Sequence, residues 1–143
     1  MLMTMRACTE GCRAMSLVAA AAYDAAHAHP DADVRKQNQA FYEFMVPLVK
    51  GYSTEMSLEV TSLGVQVHGG MGFIEETGAA QYLRDVRVTA IYEGTNGIQA
   101  LDLVGRKLMD GGEAAYALLD EIESTAETAR AKHPELAEPV WQA

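Results

Sequence analysis

Cysteine is nearly absent: Cys8 and Cys12 are the only two in 143 residues. They stand four apart in a helical pattern, with no further cysteine to complete a zinc set. They read as small core residues of a protein in a reducing compartment, and the cytoplasm is the expected location. Aromatic residues are also few, 7% of a chain that is 49% hydrophobic. Alanine and methionine fill that gap, which favours closely packed helices over strands. Long apolar runs are missing. The longest, from Leu17 to Tyr23, is far too short to cross a bilayer, so no transmembrane segment is expected. The opening MLMTMRACTEGCRAM lacks a charged start followed by an apolar block, unlike a signal peptide. Basic residues are scarce too, 11 against 20 acids, for a net charge of −9. Such a surface repels phosphate and argues against nucleic-acid binding. The four histidines show no ligand spacing, so no metal site is expected.

The charge that is present is uneven. Residues 1–109 carry 12 acids and 9 bases, and residues 110–143 carry 8 acids and 2 bases. The tail is therefore a different surface from the body. The length suits one domain with a real core. Leu2, Met5, Cys8, Cys12, Met15, Ala19, Ala22 and Ala26 recur at three- and four-residue steps, which predicts one amphipathic helix to about His27. His29-Pro30-Asp31 ends it, and Asp31 or Asp33 can cap the next. Phe41 to Val67 keeps a second helical pattern, with a kink or short break expected at Pro47 and Gly51 and a restart at Ser53. The two helices should pack antiparallel. Thr77 is expected to cap a short helix to Arg84, where Arg84 and Asp85 read as a structural pair. Asp85 to Tyr92 is rich in β-branched residues and is expected to be an extended connector. Thr95 or Asn96 can cap a helix to Leu108. Another helix follows from Glu113 to Ala131, and Pro134 and Pro139 flank a last short segment.

The stretch from Gln66 to Gln99 holds six of the twelve glycines in 34 residues. Glu93 lies just before a predicted helix start, between Tyr92 and Gly94. It is either an ordinary N-terminal acid, favoured by the helix dipole, or a general base at the mouth of a cavity. Gly94 would let a ligand approach the backbone. Thr95, Asn96 and Gly97 offer a hydroxyl, an amide and open N–H groups, suited either to capping or to a polar ligand. Gln66, Val67, His68, Gly69 and Gly70 form a second polar turn, which taken alone reads as a helix C-cap.

Three runs in fixed order, QVHGGMGF at Gln66–Phe73, YLRDVRV at Tyr82–Val88 and IYEGTNGIQ at Ile91–Gln99, closely resemble the C-terminal helical domain of the acyl-CoA dehydrogenase family. The spacing of 27 positions from Gln66 to Glu93 matches as well, and the resemblance covers roughly residues 1–109. It implies an all-α, up-and-down helical bundle over 1–109, with 110–143 as the start of an acidic helical extension. It implies an FAD-dependent enzyme that removes hydrogens from the α and β carbons of an acyl-CoA thioester. Glu93 would be the α-proton base and Gly94 would contact the substrate thioester. Thr95, Asn96 and Gly97 would contact FAD, and Gln66, Val67, His68, Gly69 and Gly70 would contact the FAD held mainly by a neighbouring subunit. A homodimer or homotetramer and electron-transfer flavoprotein as acceptor are implied too.

The family's N-terminal helical domain and central β domain have no counterpart here. The chain is therefore expected to be a fragment beginning inside the first helix of its domain. The GIQALDLVGRKL run and the extension after it resemble a longer subgroup that includes 3-methylmercaptopropionyl-CoA dehydrogenases. Two other readings stand beside this one: a non-catalytic helical interaction module, and an acyl-CoA oxidase on the same scaffold.

Overall fold

A computed structural model describes residues 1–109 and 111–143; Asp110, where the sequence reading starts the extension, lies outside the described residues. Among the described residues every regular element is helical. The fold is all-α, as the alanine-rich composition predicts. The chain forms two compact units, Met1–Lys107 and Leu108–Ala143.

Helix α1 spans Leu2–Ala28 and α2 spans Ala32–Val67. The turn between them is set locally. His29 is extended (ψ 137°), as the proline after it demands. Asp31 caps α2 by accepting from the Asp33 amide at 2.8 Å. The Arg35 guanidinium donates to the carbonyls of His29 (2.7 Å) and Pro30 (2.9 Å). The helices run antiparallel. Tyr23 and Tyr42 meet edge to face near the turn, with ring centroids 5.1 Å apart. At the far end, Met5 reaches the open side of Gly64. The alanine stripe does what its pattern predicts, since Ala19 and Ala22 are buried against the partner helix.

The expected interruption of α2 does not occur. The helix runs unbroken through Pro47, Gly51 and Ser53 for 36 residues, about 54 Å at the usual rise. Proline removes one backbone hydrogen bond, but Pro47 is itself buried beside Phe44 and Met45, and that packing outweighs the loss.

Short elements then wrap along α2. These are α3 (Gly70–Phe73), a 3-10 turn (Glu75–Thr77), α4 (Ala79–Val86) and a second 3-10 turn (Arg87–Ala90). Next come α5 (Asn96–Asp102) and a π-helical turn (Leu103–Lys107) that continues it. Three expectations are corrected here. Thr77 does not cap α4. Its hydroxyl points back, donating to the carbonyls of Met71 (2.6 Å) and Ile74 (3.2 Å), and Gly78 precedes the helix. Arg84 does not pair with Asp85. It reaches Glu75 (3.4 Å) and the side-chain oxygen of Gln81 (2.9 Å), while Asp85 accepts from the side-chain nitrogen of Gln81 (2.6 Å). Asp85–Ala90 is helical rather than extended. With no strand beside it among the described residues, its backbone bonds are local helical ones, joined by a bond from Lys50 of α2 to the Thr89 carbonyl.

In the second unit, α6 (Glu113–Arg130) and α7 (Pro134–Gln142) form a hairpin. Pro139 lies inside α7 rather than flanking it, while Pro134 starts it. Arg130 ties the two helices, 3.6 Å from Glu138 and 4.8 Å above the Trp141 ring.

Glu43 accepts from Gln39 (2.8 Å) and pairs with Lys107 (3.3 Å), joining α2 to the π turn. The Gln39 hydrogen bond, and then Lys107, hold its carboxyl below the usual carboxylate range. A depressed carboxylate stabilises the fold above its unfolded pKa and loses that contribution as pH falls through the folded value. Glu43→Gln is therefore expected to lower stability near neutral pH by less than about 1 kcal/mol, since the Glu43 carboxylate is half exposed. The deficit should vanish below the carboxylate range. Thermal melts of both proteins from pH 7 down to acid check this.

Candidate active site

Glu93 sits where the chain reverses between the second 3-10 turn and α5. Its φ is 50°, and it is the one non-glycine among the described residues with a left-handed backbone. Gly94 follows at φ 88°. Two consecutive left-handed residues turn the chain sharply, and only the second can be glycine if a carboxylate is to stand at the bend. The Glu93 side chain is exposed, and no hydrogen bond or ion pair engages its carboxylate among the described residues.

Both flanks of this bend are fastened to α2. On the entering side, the Lys50 ammonium donates to the Thr89 carbonyl at 2.8 Å and lies 5.8 Å above the Tyr92 ring. On the leaving side, Thr95 caps α5 by accepting from the Ile98 amide at 3.3 Å. The Asn96 amide nitrogen donates to Glu55 at 2.7 Å and to the Gly51 carbonyl at 3.4 Å. The Thr54 hydroxyl donates to the Asn96 side-chain oxygen at 3.1 Å. The side chain of Asn96 is thus committed to α2, and what it can offer a ligand is its backbone N–H. Gln99 closes the turn, reaching the Gly94 carbonyl at 3.5 Å. A side chain on Gly94 would meet that amide at 2.8 Å.

Gln66 and Val67 end α2, His68 and Gly69 form the turn, and Gly70 opens α3; all five are exposed. The His68 ring bonds the Gly64 carbonyl at 2.8 Å, and the Gly69 amide bonds the Gln66 carbonyl at 3.0 Å. This turn and the Glu93 bend are not one site within the chain. The bend is fixed at Gly51–Glu55 and the turn begins at Gln66, so they lie about 20 Å apart along α2. Lys50, Thr54, Glu55 and Gln99 carry the local geometry, although motif reading passes over them.

Between α1 and α2 lies a groove of about 520 Å³, lined by Ala19, Ala20, Tyr23, Tyr42, Val46, Val49 and Lys50 among others. It is largely apolar and shares Lys50 with the Glu93 bend. A second groove of about 250 Å³ holds Cys8, Cys12 and Met56; both cysteines are free and half-buried. The reading of these cysteines as core residues is therefore met only in part.

The glycines of the first turn differ in what they tolerate. A Cβ on Gly72 would run into the Val65 carbonyl oxygen and lie 2.9 Å from the His68 Cβ, whereas one on Gly70 meets nothing within 4 Å. Gly72→Ala is expected to destabilise the fold by about 1–3 kcal/mol, and Gly70→Ala by less than about 0.5 kcal/mol. Urea unfolding of the two variants checks the contrast.

Comparison with known proteins identifies the family. The family described as "Acyl-CoA dehydrogenase, C-terminal domain" matches residues 1–109. The chain is 53% identical over 126 residues to 3-methylmercaptopropionyl-CoA dehydrogenase of Ruegeria pomeroyi, covering 87% of this chain and 21% of that protein. It is 36% identical over 124 residues to a broad-specificity linear acyl-CoA dehydrogenase of Mycobacterium tuberculosis (85% and 20%). It is 33% identical over 123 residues to a butyryl-CoA dehydrogenase of Syntrophomonas wolfei (85% and 20%). The chain spans about a fifth of the length of these curated relatives. With the family matched over more than half of its residues, the chain belongs to the acyl-CoA dehydrogenase family.

Proposed function

We propose that this chain is the base-bearing part of an FAD-dependent acyl-CoA dehydrogenase that introduces an α,β double bond into an acyl-CoA thioester. The observation that carries the reading is Glu93 itself: a carboxylate on a strained left-handed residue, unpaired and exposed, on a bend fastened at both flanks. Strain of this kind persists where the surroundings over-determine it, and it clusters at functional sites. Proton abstraction beside a thioester carbonyl needs a positioned base. Glu93 takes the α proton, and the Gly94 backbone lies beside the thioester. The α1–α2 groove offers apolar walls for part of an acyl chain.

FAD, when bound, accepts the hydride that leaves the β carbon. The chain has surfaces that fit a flat dinucleotide. Positions for a Cβ on Gly69 and Gly70 are open to 4 Å, so a ligand can reach that backbone. Thr95, Asn96 and Gly97 stand at the start of α5, with Asn96 contributing its backbone N–H. Gln66, Val67 and His68 complete the other turn. The separation of about 20 Å between the two turns supports their serving flavins of two subunits in a homodimer or homotetramer. Electron-transfer flavoprotein is the proposed acceptor, the cytoplasm the proposed location, and 1–109 with 110–143 the proposed division into catalytic domain and extension. Among the described residues no helix is long and apolar enough to cross a membrane.

In the complete enzyme, Glu93→Gln is expected to lower turnover by about 10²–10⁴-fold while flavin absorbance remains at the parental level. Parental turnover would sink the base assignment. The 143-residue chain by itself is expected to bind FAD weakly or not at all in a fluorescence titration, because its two turns face different flavins. Tight, stoichiometric binding contradicts that division.

A further inference from the structure

The segment from Thr89 to Asn96 is pinned to α2 at both ends. Lys50 holds the Thr89 carbonyl, and Glu55, Thr54 and Gly51 hold the Asn96 side chain. The anchors on α2 lie five residues apart at most, about 7.5 Å along the helix. Fully extended, the seven residue steps from Thr89 to Asn96 would span about 23–25 Å. The pinned segment therefore has to arch away from α2. Glu93 is four residues from one pin and three from the other, so it stands near the crest. Its left-handed backbone is the local cost of that arch.

From this geometry we infer that Lys50 and Glu55 are positioning residues for Glu93, acting from α2 through Thr89 and Asn96 to hold the carboxylate at the crest of a pinned arch. The inference rests on the proposed role of Glu93 as base. Neither residue reaches the reacting carbon. Lys50 fixes the entering side by a charged donor on a carbonyl, with Tyr92 under its ammonium. Glu55 fixes the leaving side by a charged acceptor on the Asn96 side-chain amide. Glu55 also fixes which way that amide faces, since a carboxylate can only accept: the nitrogen turns to Glu55 at 2.7 Å and the oxygen to the Thr54 hydroxyl at 3.1 Å. Releasing either pin lets Glu93 relax from its left-handed conformation, and displacement of a base by about 1 Å is costly to rate.

The complete enzyme tests this by amide hydrogen exchange together with steady-state kinetics. Lys50→Met and Glu55→Ala are each expected to speed exchange across residues 89–99 by about fivefold or more, the protection carried by one hydrogen bond. Each should lower kcat by at least about tenfold with FAD content within about twofold of the parent, and Glu55→Ala, which lies outside the α1–α2 groove that Lys50 lines, should also keep KM within about twofold. Lys50→Arg and Glu55→Gln keep a donor and an acceptor and should restore both readouts. Parental exchange or parental kcat in both disruptive variants overturns the inference. So does a kcat loss that follows lost flavin, or one that persists in both conservative variants. Glu93→Gln separates the two readings: if it keeps turnover while the pin variants loosen the segment, the base assignment falls and the pinning of the arch stands.

Discussion

The charged hydrogen bond between Glu55 and the Asn96 amide, with its counterpart between Lys50 and Thr89, is what makes an ordered bend out of a glycine-flanked loop. Both bonds originate on α2. The same helix packs against α1 along its length, carries α3 and α4 near its end, and meets the π turn through Glu43. A break at Pro47 or Gly51 would separate the α1 contact from the bend. Burial of Phe44, Met45 and Pro47 keeps the helix whole there, so one rigid rod sets the placement of every candidate residue in the first unit.

The core that supports this is thin. Among the described residues of the first unit the buried hydrophobic residues are four alanines with Phe44 and Met45, while Phe73, Leu101 and Leu17 are 81%, 67% and 63% exposed. Small residues let helices approach closely, but they remove little apolar area from water. Exposed apolar side chains on this scale mark surfaces made for other protein or for ligand. They accord with the proposed place of this domain within a larger flavoenzyme.

The long elements were legible because periodicity and caps act locally. The alanine steps of α1 and the Pro30 stop stand in the structure as the sequence predicts them, and of the paired cap candidates, Asp31 or Asp33 and Thr95 or Asn96, the structure takes Asp31 and Thr95. The failures have a common physical origin. Pro47, Thr77 and the Asp85–Ala90 segment each carry a local preference that packing or hydrogen bonding against another element overrides. For the site, motif spacing picks out Glu93 and the two turns. It is silent on which side chains are already committed. Asn96 reads as a ligand contact, yet its amide is consumed by Glu55, Gly51 and Thr54, more than 40 residues away in sequence. Pairings at such separation leave no periodic trace.

The account turns on Glu93 as the group that removes the α proton. Deuterium exchange at the α carbon of a thioester ligand, measured in heavy water with the complete enzyme and no electron acceptor, isolates that step from hydride transfer and from product release. The parent enzyme should wash deuterium into the α position, and the Glu93→Gln variant with its flavin in place should not. Exchange at the parental rate in that variant would contradict the account.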